Sequence, residues 1–210
     1  MSGPQAGHAA QEALERLREG NRRYVAGEWS IDRLASESRR AALVDGQNPF
    51  AIILGCSDSR VPAEIVFGQG LGDLFVIRVA GNVVAPSLVG SVEFAAQAFG
   101  TRLVVVMGHT DCGALAATLD ALERPEETGS KNLRSIVDRI RPSFAALMET
   151  ELREDRGALL REAGRANVRA SVDHLRHGSE ILERLVAEDG LEVVGAEYSI
   201  ATGRVEVLDG

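Results

Sequence analysis

The chain has 210 residues, enough for one domain with a full core and no need of disulfides. Hydrophobic residues make up 45% and charged residues 26%, an ordinary globular balance. The net charge of −8 argues against a general nucleic-acid binder, and no run approaches the roughly 20 apolar residues that span a bilayer, so neither nucleic acid nor membrane is an expected partner.

In chain order, residues 1–8 read as a disordered tail and 9–210 as a single domain. The start lacks a basic segment followed by an apolar one, so a cytoplasmic setting is expected. Ala10, Ala13, Leu14, Leu17 and Tyr24 recur at helical spacing, which predicts a helix over 8–23, ended by Gly27. A second helix is expected over 31–44, with Asp45-Gly46 as its stop. Asn48-Pro49 turns into a first strand, 50–55. Pro62 suits the first turn of a short helix, and the glycines at 68, 70 and 72 break the chain before a strand over 74–77. Pro86 opens a helix to 99, closed by Gly100. The third strand, 103–107, is the most continuously apolar. A helix follows Asp111 to about 122, then a charged loop over 123–129. Longer helical segments follow over 132–154, kinked or broken at Pro142, and over 157–188. A strand at 191–196 and an edge strand at 205–207 finish the chain.

Strands alternating with helices predict an α/β fold: a mostly parallel central sheet flanked by helices, with an N-terminal helical extension and an edge strand near the C-terminus. Continuously apolar central strands suit a sheet buried on both faces. Ligands of such sheets bind at the carboxyl ends of the strands.

Both cysteines of the chain lie at such ends. Cys56 opens Cys56-Ser57-Asp58-Ser59-Arg60, and Cys112 closes His109-Thr110-Asp111-Cys112. A buried cysteine commonly behaves as a small hydrophobe, but these two are embedded in polar residues. In a reducing compartment a thiol pair points to metal or catalysis before a disulfide. Two thiolates and one imidazole form a three-ligand zinc set, which leaves one coordination position for chemistry, whereas structural zinc usually takes four protein ligands. Asp58 and Arg60 share a side of an extended segment, so an Arg fork can hold the carboxylate ionised. The pair reads either as a loop-shaping salt bridge or as a carboxylate poised over the open position. His174 and His177 share a helix face, and an exposed surface is the simplest reading of them.

Cys56-Ser57-Asp58-Ser59-Arg60-Val61-Pro62-Ala63-Glu64, Arg78-Val79-Ala80-Gly81-Asn82 and Gly108-His109-Thr110-Asp111-Cys112-Gly113-Ala114 together resemble the β-class carbonic anhydrases, in order and approximate spacing. The resemblance implies one zinc ion per chain on Cys56, His109 and Cys112, with Asp58 as a fourth ligand only in a closed state. It implies reversible hydration of carbon dioxide to bicarbonate by zinc-bound hydroxide, oriented by an Asp58–Arg60 dyad. It implies that Gln47 reaches substrate across a dimer interface, although a turn residue before Asn48-Pro49 is the other reading. Phe75 and Phe94 match pocket positions and read equally as core, and Gly113 offers its backbone N–H to bound substrate. A homodimer or homotetramer is expected. Members inhibited by bicarbonate at a separate site carry Trp three residues before the first Cys. Ile53 stands there, so that inhibition is not expected, although Arg78 and Tyr198 match other parts of the site. Hydrolysis of carbon disulfide or carbonyl sulfide on the same site, and a catalytically silent zinc scaffold, are the competing readings. Retention of Asp58 and Arg60 speaks against the scaffold.

Overall fold

Among the described residues, four parallel strands and one antiparallel edge strand set the position of the candidate ligands. The computed structural model describes residues 5–124 and 130–208. In chain order the elements are α1 (Gln5–Val25), α2 (Ile31–Leu34), α3 (Glu37–Ala42), β1 (Ala51–Gly55), α4 (Ala63–Val66), β2 (Leu74–Arg78), α5 (Pro86–Ala98), β3 (Leu103–His109), α6 (Gly113–Glu123), α7 (Lys131–Ile140), α8 (Pro142–Ala145), α9 (Arg156–His177), α10 (Glu180–Glu188), β4 (Glu192–Tyr198) and β5 (Val205–Leu208). The sheet runs β2-β1-β3-β4-β5, with β5 antiparallel to β4 and the other pairs parallel.

The α/β architecture is as the sequence predicts, and the differences have local causes. Helix α1 begins at Gln5, inside the segment expected to be a tail, whose residues 1–4 lie outside the described residues. The helix expected over 31–44 is two short ones. Ser36 caps the second by accepting a hydrogen bond from the Arg39 N–H, so the chain restarts rather than continues. Ser179 likewise caps α10 through the Leu182 N–H and splits the segment expected over 157–188. Pro142 ends α7 and starts the single turn of α8, as its missing N–H requires, and 3-10 turns at Leu147–Glu149 and Glu151–Glu154 replace the rest of that segment. Of the loop expected over 123–129, residues 125–129 lie outside the described residues.

Alternation along β1 separates two cores. Ile52 and Leu54 face Val92, Val168, Val172 and Leu175 of α5 and α9, whereas Ala51 and Ile53 face Leu17 and Val66 of α1 and α4. A third cluster at the carboxyl rim joins Cys56 and Cys112 to Leu115, Ile140, Phe144 and Leu159. The central strands β1 and β3 are buried along their whole length.

Helix α9 approaches β3 closely because position 108 has no side chain. A Cβ at Gly108 would stand 2.6 Å from the Val168 Cγ2 atom. Gly108→Ala should therefore cost about 1–3 kcal/mol through overpacking, measured by urea denaturation against the wild type.

Candidate metal centre

The register of β1 on β3 pairs Gly55 with Met107, so the chain leaves both strands at neighbouring points of the rim. Cys56 follows β1 directly, His109 is the last residue of β3, and Cys112 is the N-cap of α6. The Cys56 and Cys112 sulfurs lie 4.0 Å apart. The ligand atoms of Cys56, His109 and Cys112 all fall within 4.8 Å of one another, and all three residues are buried.

The donor chemistry of this cluster fits a cation. The Nδ1 atom of His109 lies 2.8 Å from the Thr110 carbonyl, which commits it as the N–H donor and leaves Nε2 as the lone-pair atom. That Nε2 is buried and has no hydrogen-bond partner among the described residues. A buried unpaired polar atom costs about 1–3 kcal/mol, so its retention calls for a ligand. The two thiols share protons unequally: the hydrogen bond from Cys112 pulls the Cys56 thiol well below the usual range, and the same contact with Cys56, together with burial, pushes Cys112 up. Burial disfavours the His109 imidazolium, but the Cys56 sulfur and the Thr110 carbonyl outweigh it and raise its affinity for a proton. The pocket thus attracts positive charge, and two sulfurs with one imidazole form a soft set suited to zinc.

Asp58 stands at the mouth. Arg60 grips it as a fork, Nε to Oδ1 at 3.0 Å and Nη2 to Oδ2 at 2.7 Å, and adds its backbone N–H to Oδ1 at 2.9 Å. These bonds hold the Asp58 carboxyl well below the usual carboxylate range, the Arg60 side chain being the largest cause. Asp58 Oδ2 is 3.9 Å from His109 Nε2, so the carboxylate overlooks the ligand cluster while bound to Arg60. Arg60 Nη2 also donates to the Asp111 carbonyl at 3.1 Å and so ties the two motifs together.

Arg78 opens the motif that ends at Asn82 and matches part of a bicarbonate site. Its Nε donates to the Cys56 carbonyl at 3.0 Å and its Nη2 to the Asp58 carbonyl at 2.6 Å, so it braces the loop that carries both residues. Tyr198 lies opposite His109 in the register, and its hydroxyl is 3.3 Å from that of Tyr24. Ile53 is fully buried in β1. Gly113 opens α6, where a substituent at its Cα would meet nothing within 4 Å.

Three candidates lie elsewhere. Gln47 is exposed before the amino end of β1, whereas Cys56 follows its carboxyl end. Phe75 pairs with Ile52, near the amino end of the sheet. Phe94 is 55% exposed and lies against Phe75 with the rings tilted at 48° and their centroids 6.2 Å apart. Within one chain none of the three joins the ligand cluster. His174 and His177 are exposed in the last turn of α9, with His177 3.7 Å from Asp173.

Known proteins place this geometry in context. Residues 51–205 match the family model described as carbonic anhydrase. A carbonic anhydrase of Mycolicibacterium smegmatis is 39% identical over 195 residues, covering 93% of this chain and 91% of the relative. Carbonic anhydrase 2 of Mycobacterium tuberculosis (strain H37Rv) is 39% identical over 197 residues, covering 94% and 92%. Among solved structures, a tetrameric β-carbonic anhydrase of Sordaria macrospora aligns at a TM-score of 0.74 with 27% identity, over 83% of this chain and 88% of that one. A β-carbonic anhydrase of Aspergillus fumigatus aligns at 0.73 with 29% identity, over 82% and 81%.

The unequal thiols make a direct prediction. Cys56 is lowered and ionises first, so metal-free protein at pH 7 should carry about one thiolate per chain where two ordinary thiols of pKa about 8.5 would carry almost none. Absorbance near 240 nm should fall as pH drops below neutral and Cys56 takes up its proton. Cys112→Ala, which removes the donor, should move that transition upward in pH.

Proposed function

The chain belongs to the β-carbonic anhydrase family, whose members are lyases, and on that premise we propose that it catalyses the reversible hydration of carbon dioxide to bicarbonate and a proton. The observation that carries the reading is the buried Cys56–His109–Cys112 cluster with an ionised, Arg-held Asp58 at its mouth. Cys56, His109 and Cys112 would hold zinc, one ion per chain. Bound there, zinc supplies a nucleophilic hydroxide near neutral pH by lowering the pKa of water from about 15.7 to about 7.

The chain's own residues do the rest. Asp58, acceptor-only while ionised, takes a hydrogen bond from the attacking nucleophile and so directs its free lone pair at carbon. Arg60 keeps that carboxylate charged and fixed. The Gly113 N–H at the start of α6 favours the negative charge that develops on the substrate oxygens. Gln47, Phe75 and Phe94, remote from the cluster in one chain, suit a pocket completed by a second copy. The amino-terminal location of Gln47, the edge position of β2 and the exposure of Phe94 support a homodimer or larger assembly. With Ile53 in the Trp position and Arg78 spent on two carbonyls, we expect excess bicarbonate not to move Asp58 onto the metal. Among the described residues no helix is long and apolar enough to cross a membrane, and a cytoplasmic setting is part of the same proposal.

Stopped-flow carbon dioxide hydration with measured zinc content tests the reading. The zinc-loaded protein should be active at pH 8.5, and full occupancy with no hydration would refute it. Asp58→Ala should keep zinc and lose about 10²- to 10⁴-fold in rate, whereas Cys112→Ala should lose the metal. Since Asp58 is held below the usual carboxylate range, an activity loss between pH 8 and 6 should persist unchanged in position when Asp58 is replaced by Asn.

The assembly reading is tested at Phe94. Phe94→Glu should shift sedimentation toward monomer and lower kcat/KM while zinc content stays at one per chain. A fully active monomer would remove Gln47, Phe75 and Phe94 from the site.

A further inference from the structure

Helix α9 reaches the ligand cluster through the buried turn that ends the Arg78-to-Asn82 motif. After β2 the chain makes a 3-10 turn, Ala80–Asn82, in which Gly81 has φ 69° and Asn82 φ 44°. The Gly81 N–H donates to the Cys56 sulfur at 3.3 Å. The opposite side of this turn is gripped by α9. The Asn167 side-chain amide donates to the Gly81 carbonyl at 2.8 Å, and the Ser171 hydroxyl donates to the Asn82 carbonyl at 3.2 Å. Asn167 is 2% exposed and Ser171 5%. The turn is also hemmed in, since a Cβ on Gly81 would stand 2.7 Å from Ile140 Cδ1 and 3.1 Å from the Ala114 Cβ.

Glycine takes its left-handed conformation freely, whereas Asn82 at φ 44° holds one that a non-glycine residue keeps only when surrounding contacts fix it. Here the fixing contacts come from α9, one turn apart on the same face. Their effect reaches sulfur through the Gly81 dihedrals, because a turn released at the Gly81 and Asn82 carbonyls no longer fixes the neighbouring peptide whose N–H meets Cys56. Metal ligands are commonly oriented and tuned by such outer hydrogen bonds.

We propose that Asn167, assisted by Ser171, is a positioning residue that holds the Gly81 N–H on the Cys56 sulfur and thereby sets the electron density that sulfur offers a bound metal. The proposal rests on Cys56 being a metal ligand. Asn167 touches neither metal nor substrate. It acts through Gly81, whose C=O and N–H belong to the two peptide groups joined at its Cα. The close approach of α9 at Gly108 is what brings Asn167 within reach.

The test uses the full chain, loaded with zinc for chelator competition and with cobalt(II) for absorbance. Asn167→Leu keeps the volume and removes the donor. With the Cys56 sulfur no longer held in place, zinc binding should weaken about 10- to 100-fold, lost positioning outweighing the gain in sulfur donation. The substitution should also shift the sulfur-to-cobalt charge-transfer band to longer wavelength, because a sulfur that loses a hydrogen bond donates more readily. Ser171→Ala, a smaller change, should shift the band in the same direction by less and stands in if Asn167→Leu fails to fold. Leu175→Ala, buried on the same helix away from the turn, should lower the melting temperature and leave the band in place. Band and zinc affinity unchanged in Asn167→Leu and Ser171→Ala overturn the proposal, as does a band shift in Leu175→Ala equal to theirs. A wild type that takes up neither zinc nor cobalt overturns the metal-site reading first, and this proposal with it.

Discussion

The neighbouring exits of β1 and β3 from one parallel sheet are the constraint on which the site depends. Gly55 opposite Met107 places Cys56 beside the Gly108–His109 end of β3, and the turn into α6 returns Cys112 to the same spot. Three soft donors in a space a few ångströms wide are an unfavourable thing to fold. Two sulfurs at 4.0 Å share protons unequally, and a buried imidazole nitrogen goes without a partner. The cost is tolerable because the rest of the rim is built to hold those atoms still, and a cation bound there would relieve it.

The holding contacts come from every side of the rim. The Thr110 carbonyl sets the His109 tautomer, and Thr110 is itself fixed by its N–H on the Tyr198 carbonyl and by its hydroxyl oxygen, which accepts the Ile200 N–H. Arg78 on β2 holds the carbonyls of Cys56 and Asp58. The Gly81 turn contributes an N–H to sulfur from the third side. Backbone carbonyls and amides dominate this outer layer, and they are rigid because they end strands or start helices. Under the proposed hydration, preorganisation of that kind would spare the site reorganisation when charge develops.

The layout of the chemistry was legible in the sequence because the relevant distances are short along the chain. Cys-x-Asp-x-Arg and His-x-x-Cys each keep their partners within a few residues, so strand ends and spacing were enough to assemble the cluster. The strands were legible for a similar reason: β1 and β3 are buried on both faces and carry no polar residue before the rim. Helix boundaries were less so. Ser36 and Ser179 each restart a helix by a side-chain bond to a backbone N–H three residues on, and an apolar pattern that spans the break hides it. Asn167 was illegible for a deeper reason. It lies 86 residues from Gly81, and nothing in its neighbourhood marks it as anything but a helix residue. The remote positions of Gln47, Phe75 and Phe94 were equally hidden, since a motif fixes a residue's order in the chain and not which end of a sheet it occupies.

The electrostatic balance at the mouth turns on how firmly Arg60 is anchored. Its side chain is 50% exposed, so water screens part of its attraction for Asp58. The carboxylate, however, has only 3.9 Å to cross before it reaches the neighbourhood of His109 Nε2. What keeps Asp58 on Arg60 is therefore geometry as much as charge: a two-pronged side-chain grip, a backbone N–H from the same residue, and the Asp111 carbonyl that fixes the guanidinium. Asp111 presents that carbonyl from a left-handed backbone at φ 56°, a conformation that Asp tolerates better than most residues. Asp111 thus supplies the point against which Arg60 is held, and the Cys56–Arg60 and His109–Cys112 segments are joined as one structure.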